Sequence, residues 1–266
     1  MTIIDTHAHI YPDKIALKAA RSIGEFYDIP MELSGTVDEL LQSGRAAGIS
    51  RWLVHSVAIS PERVSAINDF IIREVQSHPA EFIGFATMHP DHPDVEGELK
   101  RAKAAGLKGV KLHPDFQHFC LDDARAIAMF RVCAALNLPV LVHTGDTRYP
   151  YSEPTRMAAA LDQVPALKAI CAHLGGWSLW EDAWKTLSGR KNVWIDTSSS
   201  LYALPPEDAA HVIRHYGADR AFFGTDYPMW KPDEELARFM RLPLTESERE
   251  GILHGNFERF LASLDE

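Results

Sequence analysis

The chain has 266 residues, 46% of them hydrophobic and 24% charged, with a formal net charge of −10. That apolar content suffices for one large core and excludes disorder. The acidic balance excludes sequence-independent nucleic-acid binding, which needs Lys and Arg against phosphates, and docking on anionic lipid.

No N-terminal stretch has the basic, then apolar, then small-residue order of a signal peptide. No apolar run approaches the roughly 18 residues of a membrane-spanning helix. Cys120, Cys133 and Cys171 form no Cys-x-x-Cys and read as reduced thiols in apolar packing, which suits a cytoplasmic protein.

The first predicted strand covers residues 3–10, IIDTHAHI. Side chains alternate along a strand, so His7 and His9 share a face about 6.5 Å apart and can converge on one ion. The pair alone is a weak motif. The longest connection, 11–35, follows; it is partly helical in pattern and is expected to cover a site. Thr36-x-x-Glu39 reads as a capping box before a helix that Gly48 closes. A second strand is predicted at 51–58. Ser60-Pro61 then opens a helix, and further strands follow at 82–88, 107–113, 139–145, 168–175 and 193–199. Pro206 opens a helix ending at Gly217, the eighth strand covers 220–227, and Thr245-x-x-Glu248 caps a final helix at 247–263. Strand and helix alternate throughout, and several strands are nearly continuous apolar runs, as in parallel sheets buried on both faces. The expected fold is a single-domain (β/α)8 TIM barrel over residues 1–266 with an additional C-terminal helix. An open doubly-wound sheet is the alternative, and no Gly-rich phosphate loop follows the first strand to support it.

In such barrels the active-site residues sit at the carboxyl ends of the strands. Those positions hold His7 and His9, Lys111 and His113, His143, His173, and Asp226. Each follows an apolar run, where an unpaired polar side chain is costly to bury. Five strands with this feature outweigh one His-x-His.

The stretches DTHAHI, GVKLHP, LVHTGD, AHLGG, GTDYP and ILHGNFERFL resemble the amidohydrolase superfamily, in the amidohydrolase-related branch that includes aminocarboxymuconate semialdehyde decarboxylase. The resemblance covers nearly the whole chain. It implies that His7, His9, His143 and Asp226 bind one divalent metal, most often Zn2+ with Mn2+ or another ion as alternatives, and that His173 lies beside the metal-bound water. Imidazoles and a carboxylate suit such an ion, which lowers the pKa of bound water toward about 7. Asp226 and His173 are the expected catalytic proton carriers.

Other positions carry two readings. Lys111 either binds a substrate carboxylate or, as in two-metal members of the superfamily, is carboxylated and bridges two ions. His113 lines the pocket or packs on Pro114. Asp5 shares parity with His7 and His9, and reads first as a hydrogen-bond acceptor at the strand bottom. Asp196 orients a histidine or caps a loop. His55 and His89 read as structural, and His211 with His215 as a solvated helix face. Arg148 and Trp177 are candidate substrate-binding residues, suited to a flat or carboxylated small molecule.

The resulting expectation is a metal-dependent hydrolase that directs an activated water at an ester, lactone or amide. The alternative is a metal-dependent decarboxylase of an aromatic or unsaturated carboxylic acid. Chain length favours the hydrolase, because the decarboxylases carry larger insertions. A non-catalytic metal-stabilised binding protein is a third reading. The expected partner is a small-molecule substrate; homo-oligomerisation is compatible with the sequence and not specified by it.

Overall fold

A computed structural model describes residues 2–265. Among the described residues nine short strands line up in parallel: β1 (Ile4–His9), β2 (Arg51–His55), β3 (Phe82–Gly84), β4 (Ala86–Thr87), β5 (Val110–Leu112), β6 (Val140–Val142), β7 (Ala169–Cys171), β8 (Val193–Asp196) and β9 (Ala221–Phe222). They form a three-stranded sheet, β1-β2-β3, and a six-stranded sheet, β4 through β9 in chain order.

The two sheets join into one barrel at two seams. The predicted strand 82–88 is split at Phe85 into β3 and β4. Phe85 N–H donates to the Val54 carbonyl of β2 at 3.0 Å, and Ala86 N–H donates to the Gly109 carbonyl beside β5 at 2.8 Å. One stave therefore serves a neighbour on each side in turn. Asn68 steadies this seam: its amide accepts from Thr87 N–H at 2.7 Å and donates to the Thr87 carbonyl at 3.2 Å. The second seam closes the barrel. Ala8 bridges Tyr227 in parallel register. Thr6 N–H donates to the Phe223 carbonyl at 2.8 Å, Asp226 N–H to the His7 carbonyl at 2.8 Å, and His9 N–H to the Tyr227 carbonyl at 2.7 Å. The fold is the expected TIM barrel, with β3 and β4 sharing the third stave.

The strand bottoms point Ile4, Leu53, Ile83, Phe85, Leu141 and Phe222 into the barrel. Phe257 and Phe260 of the helix Asn256–Ala262 pack against this layer, with ring centroids 5.2 and 5.5 Å from Phe222. The additional C-terminal helix is thus a stopper in the lower mouth. It is not one continuous helix: Glu246–Glu250 opens it with the expected Thr245–Glu248 capping box, Gly251–Gly255 forms a π-helical turn, and Asn256–Ala262 completes it. At Thr36 only half of the expected box forms. Thr36 accepts from Glu39 N–H, but the Glu39 carboxylate turns to Ser34 N–H instead. A larger apolar layer lies between the staves and the outer helices and includes the buried Cys133 and Cys171. All three cysteines are free thiols. Among the described residues no helix is long and apolar enough to cross a membrane.

Phe260 is 3% exposed, so truncating it opens a cavity in the stopper. Phe260→Ala is expected to destabilise the fold by about 3–5 kcal/mol in chemical denaturation, while the upper-mouth residues, at the other end of the barrel, stay in place.

Candidate active site

β1 carries a register shift between Asp5 and Ala8, with Asp5 opposite Trp52 and Ala8 opposite Val54. One extra residue on β1 re-aims the end of the strand. Ile4 points into the barrel bottom, yet three residues later His7 also points inward. Asp5 therefore does not share the orientation of His7 and His9 that simple alternation predicts. Its carboxylate accepts from His7 N–H at 3.0 Å, Thr225 N–H at 2.9 Å and Thr225 Oγ1 at 2.6 Å, which makes it a strap between β1 and the loop after β9. Burial pushes this carboxyl up to about 7.

Beside the strap, the closing seam brings three predicted residues together. Nε2 of His7 lies 3.4 Å and Nε2 of His9 3.5 Å from the same Asp226 oxygen, Oδ1. Donor atoms around a tetrahedral ion with bonds of roughly 2.0–2.1 Å stand roughly 3.4 Å apart, so each imidazole has the spacing of a co-ligand to Asp226; the groups His7–His9–His55 and His7–His173–Asp196 also bring their ligand atoms within 4.8 Å of one another. Gly224 permits the approach, since a Cβ there would meet the His7 Cβ at 2.9 Å. Asp226 itself adopts a left-handed backbone, φ 60°, as does His173 at φ 62°. That conformation is uncommon for residues other than glycine, and it turns each side chain back over the barrel mouth.

The hydrogen bonds fix the imidazole tautomers. Nδ1 of His7 is 2.8 Å from Asp196 Oδ2, so that nitrogen carries the proton and Nε2 presents a lone pair. Lys111 Nζ lies 2.8 Å from that Nε2. Nε2 of His143 faces the Gly145 carbonyl at 2.9 Å, so that nitrogen donates and Nδ1 presents a lone pair. Nδ1 of His173 lies 3.1 Å from the Ser198 carbonyl and 2.9 Å from the Ser198 hydroxyl. His143 Nδ1 and His173 Nε2 stand 2.9 Å apart, a distance that calls for a proton or a cation shared between them. Burial drives His7 and His143 well below the ordinary imidazole range and His9 to about 3, with the Lys111 charge adding to the effect. Neutral imidazole is the ligating form. The donor set therefore fits a divalent cation.

Asp196 belongs to this network as a residue that orients a histidine: besides His7, it accepts from His173 N–H at 3.0 Å and from Ser198 Oγ. His113 stacks on His143 with centroids 4.0 Å apart, accepts from Phe116 N–H, and meets Tyr27 Oη at 2.8 Å. It lines the cavity rather than joining the shell. Lys111 is fully buried, and burial lowers its ammonium to about 8. His211 and His215 lie on the helix Pro206–Tyr216, in line with the outer-face reading.

His55, expected to be structural, sits among these rings. It is in register with His9, its centroid is 4.5 Å from that of His9 and 5.0 Å from that of His7, and both of its buried nitrogens lack partners. Three further groups escaped the sequence reading. Asp115 lines the cavity with its carboxyl pushed up to about 7 by burial. Ser199 donates to Asp226 Oδ2. Tyr27 belongs to the helix Asp13–Tyr27, which forms the expected cover over the upper mouth.

The cover and the barrel mouth enclose a cavity of about 860 Å³. His9, Lys111, His143, His173 and Asp226 lie at its floor, and Trp177 lines its wall. Arg148 is not among the lining residues. Its guanidinium binds Asp146 at 2.7 Å and the Phe26 carbonyl at 2.6 Å, and it lies 4.7 Å over the Phe26 ring. It pins the end of the covering helix to the barrel.

The amidohydrolase family matches residues 4–262. The chain belongs to that family. As an amidohydrolase-superfamily enzyme it is 26% identical over 250 residues to a gamma-resorcylate decarboxylase from Polaromonas sp. strain JS666, covering 73% of this chain and 74% of that one. An uncharacterised TIM-barrel protein from Bordetella bronchiseptica superposes with a TM-score of 0.82 at 22% identity over the full length of both chains. A dihydroxybenzoic acid decarboxylase from the same Polaromonas strain, with bound manganese and the inhibitor 2-nitroresorcinol, superposes with a TM-score of 0.73 at 21% identity, covering 100% of this chain and 98% of that chain.

Arg148→Ala removes the bond to the covering helix. Amide hydrogen exchange is expected to accelerate at residues 22–31 and to stay unchanged in β5 to β8; uniform exchange in both regions would refute the pinning role.

Proposed function

We propose that this enzyme is a metal-dependent decarboxylase of a hydroxylated aromatic carboxylic acid. The observation that carries the reading is the convergence of His7 Nε2 and His9 Nε2 on Asp226 Oδ1 at the floor of a largely apolar cavity. Similarity to the Polaromonas decarboxylase supports the choice of reaction. The preference for a hydrolase rested on chain length. Similarity to several proteins named as decarboxylases outweighs that ground.

His7, His9, His143 and Asp226 would hold one divalent ion, manganese or zinc, since carboxylate–imidazole sets accept either. A bound ion would polarise a substrate oxygen and help orient the acid. The protein groups account for the remaining steps. Lys111, buried beside His7, draws an anionic substrate to the floor. Trp177 and His113 bound the space for a flat ring. The covering helix shields the floor from water, which strengthens each charge interaction inside. Asp226 carries a proton to the ring carbon that bears the carboxylate. The carbon–carbon bond then breaks, its electron pair returns to the ring, and carbon dioxide leaves. Proton and carboxylate exchange places, so no oxidant or reductant is required. Ser199 holds Asp226 Oδ2 and receives the Trp230 Nε1–H at 2.9 Å, which fixes the carboxylate in position. His173 stands next to this carboxylate's partners as a second proton carrier.

Metal-loaded protein is expected to release carbon dioxide from dihydroxybenzoates and to leave lactones and esters intact; the converse pattern would establish the hydrolase. Chelator treatment should abolish turnover, and manganese or zinc should restore it. Asp226→Asn is expected to lower kcat by at least 10²-fold, in the range for lost general acid–base catalysis. Asp196→Asn, which frees the His7 tautomer, should weaken metal binding about 10–100-fold in chelator competition with the circular dichroism spectrum unchanged.

A further inference from the structure

The cavity is much larger than the floor requires. Its volume of about 860 Å³ lies at the upper end of the roughly 300–1,000 Å³ typical for drug-sized ligands. A single benzoate ring with two hydroxyls fills only a small part of that. The excess volume belongs to the same cavity as the floor and is lined mainly by apolar side chains, with Ser22 and Ser56 among them. Ala19 and Ile23 of the covering helix stand on one wall, and Val57, Ala66, Ile67 and Phe70 on the other. The passage ends at Ile15 and Ile59, which also line it and are 50% and 58% exposed. Large apolar side chains left half in water at the mouth of an apolar passage mark a surface that a ligand covers. Lys18 and Arg63 line the same rim and are exposed, the pattern of long cationic side chains that lay apolar stems along a passage and keep their charges in water.

We infer that the substrate is a hydroxyaromatic carboxylic acid bearing an extended apolar side chain, with the acid on the floor beside Lys111 and Asp226 and the chain running between the helices Asp13–Tyr27 and Val64–Ser77 to Ile15 and Ile59. This rests on the decarboxylase reading for the chemistry of the head group. The extension is argued from the cavity alone. Ala19 and Ala66 are small lining residues on the two helices, Ala66 at the exposed end, so a larger side chain at either is expected to narrow the passage.

The test uses the metal-loaded protein and 2-hydroxybenzoates carrying linear alkyl groups from methyl to heptyl. Affinity measured by calorimetry is expected to rise about three- to fourfold per methylene, and to level off once the chain reaches Ile15 and Ile59. Ala66→Phe should reduce the heptyl-to-methyl affinity ratio at least tenfold, and Ala19→Phe should do the same from the opposite wall. Affinity that is flat or falls with chain length would overturn the inference, as would an unchanged ratio in both variants. Carbon dioxide release from the same series separates the two claims. Rising affinity without release defeats the decarboxylase reading and leaves the passage standing. Release from unsubstituted acids with no length dependence defeats the passage alone.

Discussion

The seam between β1 and the loop after β9 governs the site. Three backbone hydrogen bonds and the Ala8–Tyr227 bridge hold residues more than 200 positions apart in sequence. Asp5 adds a carboxylate that accepts from both sides of the joint. Backbone bonds of this kind are short and directional, so they hold Asp226 beside His7 and His9. A barrel that failed to close would still contain every candidate ligand and would gather none of them.

Electrostatics then selects what the gathered residues can hold. The carboxylate of Asp196 and the carbonyl of Gly145 give His7 and His143 a donor nitrogen and leave their lone pairs on the inner side, whereas Nδ1 of His9 is buried without a partner. The lone pairs converge on a region from which burial excludes protons by depressing the imidazoles. In a low-dielectric interior such a cluster is unfavourable without a positive charge. Lys111 supplies one such charge, and a divalent ion would supply a stronger one.

Much of this was legible in the sequence, because a polar residue ending an apolar strand is conspicuous. His143, His173 and Asp226 stand out for that reason, and the eight-stave rhythm places them at one end of the barrel. What remained hidden depends on registers and paths that no local pattern encodes. His55 ends a strand as His143 does; only the pairing of β2 with β1 shows that it faces His9. The bulge in β1 defeats the simple alternation that linked Asp5 to the histidines. Tyr27 and Phe26 lie in a connection whose route over the mouth is set by tertiary contacts, and the same contacts turn Arg148 from the cavity to the cover. The break at Phe85 reflects a change of hydrogen-bonding partner, which leaves no trace in composition.

The aromatic stopper at the lower end has a consequence for traffic. With Phe257 and Phe260 seated among the strand bottoms, the lower end of the barrel is filled, and the cavity opens at the upper end among the described residues. Whatever reacts beside Asp226 must depart by the doorway through which it arrived, and in reverse order of depth. The helix Asp13–Tyr27 lies over that doorway, so its opening would time the exchange of whatever the cavity holds.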